Sequence, residues 1–322
     1  MKIIRPKRLI KGDRVAIVAP ASPFDPEEIK CGIEVIEKKG LIPVLGENVK
    51  NMRTNQLYAA DIKRRTRELM KAFLDKNVAG IFVAGGGLGS EELLPFLDYK
   101  AIKEHPKIFM GFSDITALNN GIFAKTGLVN FNGPSISMTN KTKHARKMDV
   151  ISLNDVLNLL MSDEKWEDKS FLQNRRLVRC VSPGKVTGRA IGGNLSTFCG
   201  LLGTKYLPEC KDKIIFFEDI HEGGYNVEVF LTQLKLAGIL SLAKGVVFGE
   251  FIDVEKKVNP LDPDIEEVIV RFFQNGPACI FGLNFSHGET TAAIPIGIET
   301  KLDATEGKVY FGKPLATKNY VI

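Results

Sequence analysis

Histidine, tryptophan and cysteine are all scarce in this sequence, and each scarcity narrows what the chain can do. The five cysteines (Cys31, Cys180, Cys199, Cys210 and Cys279) are odd in number, widely spaced and without a C-x-x-C pair. That pattern argues against a disulfide framework or a zinc ribbon and is expected of reduced, mostly buried thiols in a cytoplasm. No apolar run approaches the roughly 18 residues that a membrane span requires. The basic start, Met1 to Arg8, meets Lys11, Gly12 and Asp13 before any long apolar stretch, so no secretory signal is expected and the location expected is cytoplasmic. Neither sign of charge dominates: 44 basic residues face 38 acidic ones, a net charge of +6. The densest basic stretch, Lys141 to Lys147, has no interleaved aromatic and reads as a solvated face, so neither nucleic acid nor membrane is an expected partner. Internal repeats and low-complexity tracts are also lacking. What remains is an ordinary globular composition, 44% hydrophobic and 25% charged, in 322 residues, enough for two domains.

The first half alternates short apolar strands with amphipathic helices. Strands are expected at Arg14–Ala19, Leu41–Val44, Ala79–Ala84 and Lys107–Met110. Helices are expected at Glu27–Lys39, Ala59–Leu74 and Ile115–Lys125. Such alternation predicts an α/β fold with a mostly parallel N-terminal sheet flanked by helices. The rhythm breaks between about Ser162 and Arg179, a polar stretch holding the single tryptophan, Trp166. A second, smaller α/β domain is expected beyond it. Its strands are read at Val186–Ile191, Ile214–Phe217, Gly245–Gly249 and Cys279–Leu283, its helices at Val227–Ala237 and about Asp264–Gln274, and a closing hairpin at Ile298–Tyr310. The expected organisation is therefore residues 1–165, a linker over 166–184, and residues 185–322.

In parallel sheets, ligands bind at the carboxyl ends of the strands. Gly85-Gly86-Gly87-Leu88-Gly89-Ser90 follows one strand and can turn backbone N–H groups toward an anion. It lacks the lysine of a Walker loop and has Ser90 where a dinucleotide fingerprint ends in Gly or Ala, which weighs against a nucleotide-dependent enzyme. A tight strand–helix turn is the other reading of the same residues. Gly111-Phe112-Ser113-Asp114 follows the next strand in the setting of a nucleophile elbow, with Ile115 where a second glycine is usual. A helix cap is the alternative there. Glu218 closes another strand in Glu218-Asp219-Ile220-His221; a metal site built on Glu218 and His221 would be short of ligands. Of the four histidines, His105 and His144 lie in surface-like settings, and spacing leaves His221 and His287 both open as a general base. A serine, a histidine and a carboxylate together make sense chemically. The imidazole takes the proton from a weakly nucleophilic hydroxyl, and the carboxylate fixes the tautomer and stabilises the imidazolium.

Several segments together resemble the LD-carboxypeptidases and the related microcin-C immunity peptidases. They are Gly12 to Ser22, the glycine loop running to Leu94–Tyr99, Gly111 to Leu118, Ile191 to Leu195, Phe217-Glu218-Asp219, and His287-Gly288 followed by Pro295-Ile296-Gly297. The resemblance implies a serine peptidase with Ser113 as nucleophile, Glu218 as acid and His287 as base. It implies an oxyanion hole made by the N–H of Asp114 and that of Gly86 or Gly87. It also implies a triad assembled between two domains, a homodimer, and no metal or organic cofactor. The expected substrate is a small peptide, most simply a muropeptide cleaved between L-Lys or meso-diaminopimelate and D-Ala. The murein-recycling members usually carry Arg-Gly-Gly-Tyr-Gly at the glycine loop, where this chain has Gly85 to Gly89 with Leu88. That departure points toward the microcin-type branch and its aminoacyl-nucleotide amides, with Trp166 as a candidate for stacking on the base and Asn194 as a further candidate substrate contact. A catalytically inactive two-domain binding protein is the alternative of another class.

Overall fold

Strand β1 (Arg14–Val18) shows why the first sheet is covered on both faces. Val15 and Ile17 enter one apolar core while Ala16 and Val18 enter another on the opposite side. Period-two side chains that are apolar on both faces need helices above and below, which is the condition of a buried parallel sheet. The computed structural model describes residues 1–137, 143–162, 178–253, 262–288 and 291–316. Within them β2 (Ile42–Leu45), β3 (Val78–Val83), β4 (Ile108–Gly111) and β5 (Asn130–Asn132) extend β1 in parallel. The connections include helices α1 (Lys30–Lys38), α2 (Glu47–Lys50), α3 (Ile62–Leu74), α4 (Tyr99–Glu104) and α5 (Thr116–Thr126). A further helix, α6 (Lys143–Leu160), packs beside α1 and was not anticipated from the sequence.

The second sheet uses β6 (Arg179–Ser182), β7 (Lys185–Asn194), β8 (Lys213–Ile220), β9 (Gly245–Ile252) and β10 (Ala278–Leu283). Strands β7 to β10 run parallel, and β6 pairs antiparallel with β10 at one edge. Helices α7 (Leu195–Gly200), α8 (Gly224–Leu236), α9 (Ile239–Leu242) and α10 (Ile265–Phe273) lie between these strands. The chain then returns to the first sheet. Strand β11 (Ile294–Ile296) pairs antiparallel with β5 before β12 (Glu299–Asp303) and β13 (Lys308–Phe311) close the second sheet as the expected hairpin. The stretch 179–182, inside the segment read as linker, is thus a strand, and 294–296 belongs to the N-terminal sheet. Strand β8 runs two residues past Glu218, which the sequence reading took as its end.

Polar contacts lock the two sheets together beside the strand ends. Asn120 of α5 donates from Nδ2 to the Gly192 carbonyl at 2.9 Å, and its Oδ1 accepts the Gly192 N–H at 3.0 Å. The Asn194 N–H donates to Thr116 Oγ1 at 2.9 Å.

Helix α3 supplies a buried anchor. Arg65, 1% exposed, donates to the carbonyls of Ala60 (3.0 Å), Pro20 (2.9 Å) and Gly89 (2.8 Å), and pairs with Glu92 at 2.7 Å. The Tyr58 ring lies 4.6 Å from its guanidinium carbon. One side chain thereby ties α3, the loop after β1 and the glycine loop together. Removing this cation leaves three buried carbonyls without their donor, while the exposed Glu92 keeps its water. Arg65→Ala is expected to lower the unfolding free energy by about 3–5 kcal/mol in denaturant titration.

Candidate active site

The residue after β4 sets the geometry. Ser113 is not glycine, yet its φ is +62°. Left-handed backbone at a side-chain-bearing residue costs of order 1–3 kcal/mol and persists only where the surroundings enforce it. The enforcement is visible in two close approaches. A Cβ at Gly86 would come within 2.9 Å of Ser113 Cβ, so the glycine loop can lie against the elbow only without a side chain there. A Cβ at Gly111 would come within 2.6 Å of Ile115 Cγ2, so the bulky residue in place of the usual second glycine is accommodated by the first. Ser113 to Ile115 form one 3₁₀ turn leading into α5.

Asp114 clasps the glycine loop to this turn. Its carboxylate accepts the N–H of Gly89 at 3.2 Å and of Ser90 at 2.9 Å, while Ser90 Oγ donates to the Asp114 carbonyl at 2.7 Å. Ser22, after β1, completes the cradle: its N–H donates to the Gly86 carbonyl at 3.3 Å and its Oγ accepts the Leu88 N–H at 3.1 Å. Burial, with the neighbouring Glu91 charge second, pushes the Asp114 carboxyl up to about 6. A folded-state pKa above the unfolded value means that the native state holds the extra proton between the two. Stability is therefore expected to fall as pH rises from about 4 to about 6. In Asp114→Asn the contribution of this group to the slope should vanish, changing the wild-type-minus-variant difference by about 1–3 kcal/mol across the window in pH-resolved denaturation.

The second sheet brings an acid and a base. Glu218, 0% exposed in β8, accepts from His287 Nδ1 at 2.7 Å. Burial raises the Glu218 carboxyl above its ordinary value, and the His287 charge opposes that rise. The turn that presents His287 follows β10. It is held by Ser286, whose N–H donates to Thr291 Oγ1 (2.9 Å) and whose Oγ donates to Glu250 (3.1 Å) and accepts the Gly288 N–H (3.1 Å). The rings of His287 and Phe112 lie 4.6 Å apart, so the neighbour of Ser113 touches the imidazole across the sheet interface.

Ser113 and His287 line one pocket of about 230 Å³, together with Gly86 and Gly87. The structure therefore brings four sequence-predicted residues to one pocket, Ser113, Gly86, Gly87 and His287, with Asp114 next to Ser113 in the chain and Glu218 hydrogen-bonded to His287. His221 is elsewhere, on an exposed turn where its N–H donates to the Ile252 carbonyl. Asn194, expected as a substrate contact, is buried beside Glu218 and Asp219. Its Nδ2 donates to Asp219 at 2.6 Å and lies 3.5 Å from Glu218, while its Oδ1 accepts from Ser196 and Thr197 as the cap of α7. With its amide committed on both sides behind the acid, it does not reach the pocket wall. Trp166 lies outside the described residues. Sequence reasoning missed the pocket-lining Asp149, Ser152 and Thr291; the helical spacing of Leu153, Val156, Leu157 and Leu160 is the signal that could have found the helix carrying the first two.

A hydroxyl on a strained turn, an imidazole opening on the same pocket and a buried carboxylate on the far ring nitrogen form the arrangement that acyl transfer uses. Known proteins resemble this chain along most of its length. Models of the LD-carboxypeptidase N-terminal and C-terminal domains match residues 15–133 and 187–302. The "Probable murein peptide carboxypeptidase" of Bacillus subtilis (strain 168) is 32% identical over 307 residues, covering 94% of this chain and 92% of its own. The "Microcin C7 self-immunity protein MccF" of Escherichia coli is 30% identical over 310 residues, covering 88% of each. A structure of MccF in complex with glutamyl sulfamoyl guanosine matches with a TM-score of 0.83 at 26% identity, over 97% of this chain and 99% of that one.

Proposed function

The chain belongs to the LD-carboxypeptidase family of serine-type peptidases, and on that footing we propose that it releases D-alanine from muropeptide-type substrates by a Ser113–His287–Glu218 mechanism. Ser113 Oγ attacks the carbonyl carbon of the L-Lys or meso-diaminopimelate residue as His287 takes its proton. The oxyanion is received by the Asp114 N–H and that of Gly86 or Gly87. Collapse breaks the amide bond, with the proton passing from His287 to the departing amine. Water, deprotonated by His287, then cleaves the acyl-enzyme and restores Ser113. Glu218 holds the imidazole in orientation and stabilises its cation throughout.

The observation that carries this reading is the shared pocket: a left-handed Ser113 and a Glu218-paired His287 open on the same space from two different sheets. A specific observation favours a second substrate. The glycine loop lacks the arginine and tyrosine usual in murein-recycling members, which supports aminoacyl-nucleotide amides. The discriminating assay offers a tetrapeptide ending in L-Lys–D-Ala or meso-diaminopimelate–D-Ala beside an aminoacyl sulfamoyl nucleoside. D-Alanine release is expected. Cleavage of the nucleoside alone would replace the muropeptide assignment with the second one.

A division into a nucleophile domain (1–165), a linker (166–184) and an acid–base domain (185–322) is part of the same proposal, supported by the separate family models for the two halves. So is a cytoplasmic homodimer. No described helix is long and apolar enough to cross a membrane. The five thiols are unpaired, and Tyr225, Val229 and Leu236 form an exposed apolar stripe on α8 that a second copy could cover.

A further inference from the structure

Between α5 and β5, amide atoms are buried without a partner. They are Oδ1 of Asn119, Oδ1 of Asn130, and both Oδ1 and Nδ2 of Asn132. All three residues are 0% exposed, and none of these atoms meets a hydrogen-bond partner among the described residues. Their placement is linked. Asn130 and Asn132 are two residues apart on β5 and so project from the same face. Asn130 Nδ2 donates to the Asn119 carbonyl at 2.9 Å, which makes that face the one against α5. Asn119 donates from Nδ2 to the Gly111 carbonyl at 3.1 Å, and Gly111 is the β4 residue paired with Asn132.

Turning the amides over does not satisfy them. In Asn119 and Asn130 it would break the bonds that Nδ2 makes, and in Asn132 it would only exchange two unpartnered atoms. A buried polar atom left unpaired costs about 1–3 kcal/mol. A partner between uncharged amides must be small and neutral, and must donate and accept at once, which describes water. The same space borders the second sheet. A Cβ at Gly193 of β7 would lie 2.4 Å from Thr116 Oγ1 and 3.2 Å from Asn132 Oδ1. We propose that α5 and β5 enclose an internal-water site, through which Asn132 acts as a positioning residue for the nucleophile elbow. The water ties Asn132 to Asn119 and Asn130. Asn119 in turn holds the Gly111 carbonyl, two residues before Ser113, beside the Thr116–Asn194 link to the acid–base sheet. The positioning role rests on the serine mechanism proposed above; the water site does not.

A crystal structure of the wild-type chain tests the site. Water density is expected within about 3.2 Å of the Asn132 amide and of Oδ1 of Asn119 or Asn130. Amides bonded to one another or to other protein groups, with no water between them, would overturn the inference. The role is read from the rate at which a fluorophosphonate labels Ser113, which requires no choice of substrate. Asn132→Leu is expected to expel the water and slow labelling about tenfold. Asn132→Ser keeps a donor and an acceptor and leaves room for a second water, so it should label within about twofold of wild type. Should leucine prevent folding, Asn132→Val takes its place. Labelling at the wild-type rate in the apolar variant, or equally slow labelling in Asn132→Ser, would remove the positioning role. An unlabelled wild type with the water in place would keep the site and remove the serine mechanism.

Discussion

Ser113→Ala is expected to reduce kcat by at least about 10⁴-fold while leaving the fold intact. The loss is large because no other group can form the acyl-enzyme. The residual rate would come only from the oxyanion donors and from binding. The fold should survive because nothing that holds the elbow depends on the hydroxyl. The left-handed turn is enforced by the Asp114 clasp on Gly89 and Ser90 and by the approach of Gly86. Alanine also meets the same steric penalty as serine at a φ of +62°. The melting temperature should therefore stay within about 2 °C of wild type. Paired rate and calorimetry measurements check both halves. A variant that turns over at the wild-type rate would show that Ser113 is not the nucleophile.

Glu218→Gln should separate stability from activity. Loss of the carboxylate removes the charge that stabilises the His287 imidazolium, and glutamine can present its amide nitrogen to the ring and select the wrong tautomer. A fall of about 10³–10⁴-fold in kcat is expected. Stability should move the other way. Glu218 is wholly buried, and burial holds its carboxyl above the ordinary range. A raised folded-state pKa means that wild-type stability falls as pH rises from the unfolded value through the folded one. Glutamine does not ionise, so at neutral and alkaline pH the variant should melt no lower than wild type, and the gap should widen in its favour as pH rises across that window. Thermal melts at several pH values, with kcat measured alongside, report both effects. A variant that keeps wild-type kcat would remove Glu218 from the mechanism. One that melts well below wild type at high pH would show that the carboxylate is a net stabiliser.

The candidate nucleophile and the candidate acid–base pair were legible to different degrees. The Gly111 to Asp114 elbow could be read because its shape is local: a strand, a sharp turn and a helix start within a few residues. Even there, the helix begins one residue later than expected, at Thr116, because a 3₁₀ turn intervenes. The glycine loop was visible for the same reason, but Ser22 and Arg65, which hold it, were not. They reach it from 64 and 24 residues earlier in the chain and leave no local pattern. Helix α6 escaped notice because its polar beginning masks the buried Leu153, Val156, Leu157 and Leu160. Its Asp149 and Ser152 therefore stayed out of view as well.

By itself, the sequence determined the α/β class, most strands and helices, and the identity of Ser113 as a candidate, because apolar periodicity and turn sterics act between near neighbours. The resemblance between motifs chose His287 over His221, but spacing could not. In the tertiary structure it is His287, not His221, that touches a buried carboxylate. Glu218 and His287 meet across 69 residues because β8 and β10 flank β9 in one parallel sheet, while His221 turns outward into solvent. The same packing placed Asn194 behind the acid rather than in the pocket, returned β11 to the N-terminal sheet and set Asp149 on the pocket wall. Each of those outcomes depends on sheet order and register, which are settled by burial summed over the whole chain and not by any stretch of it.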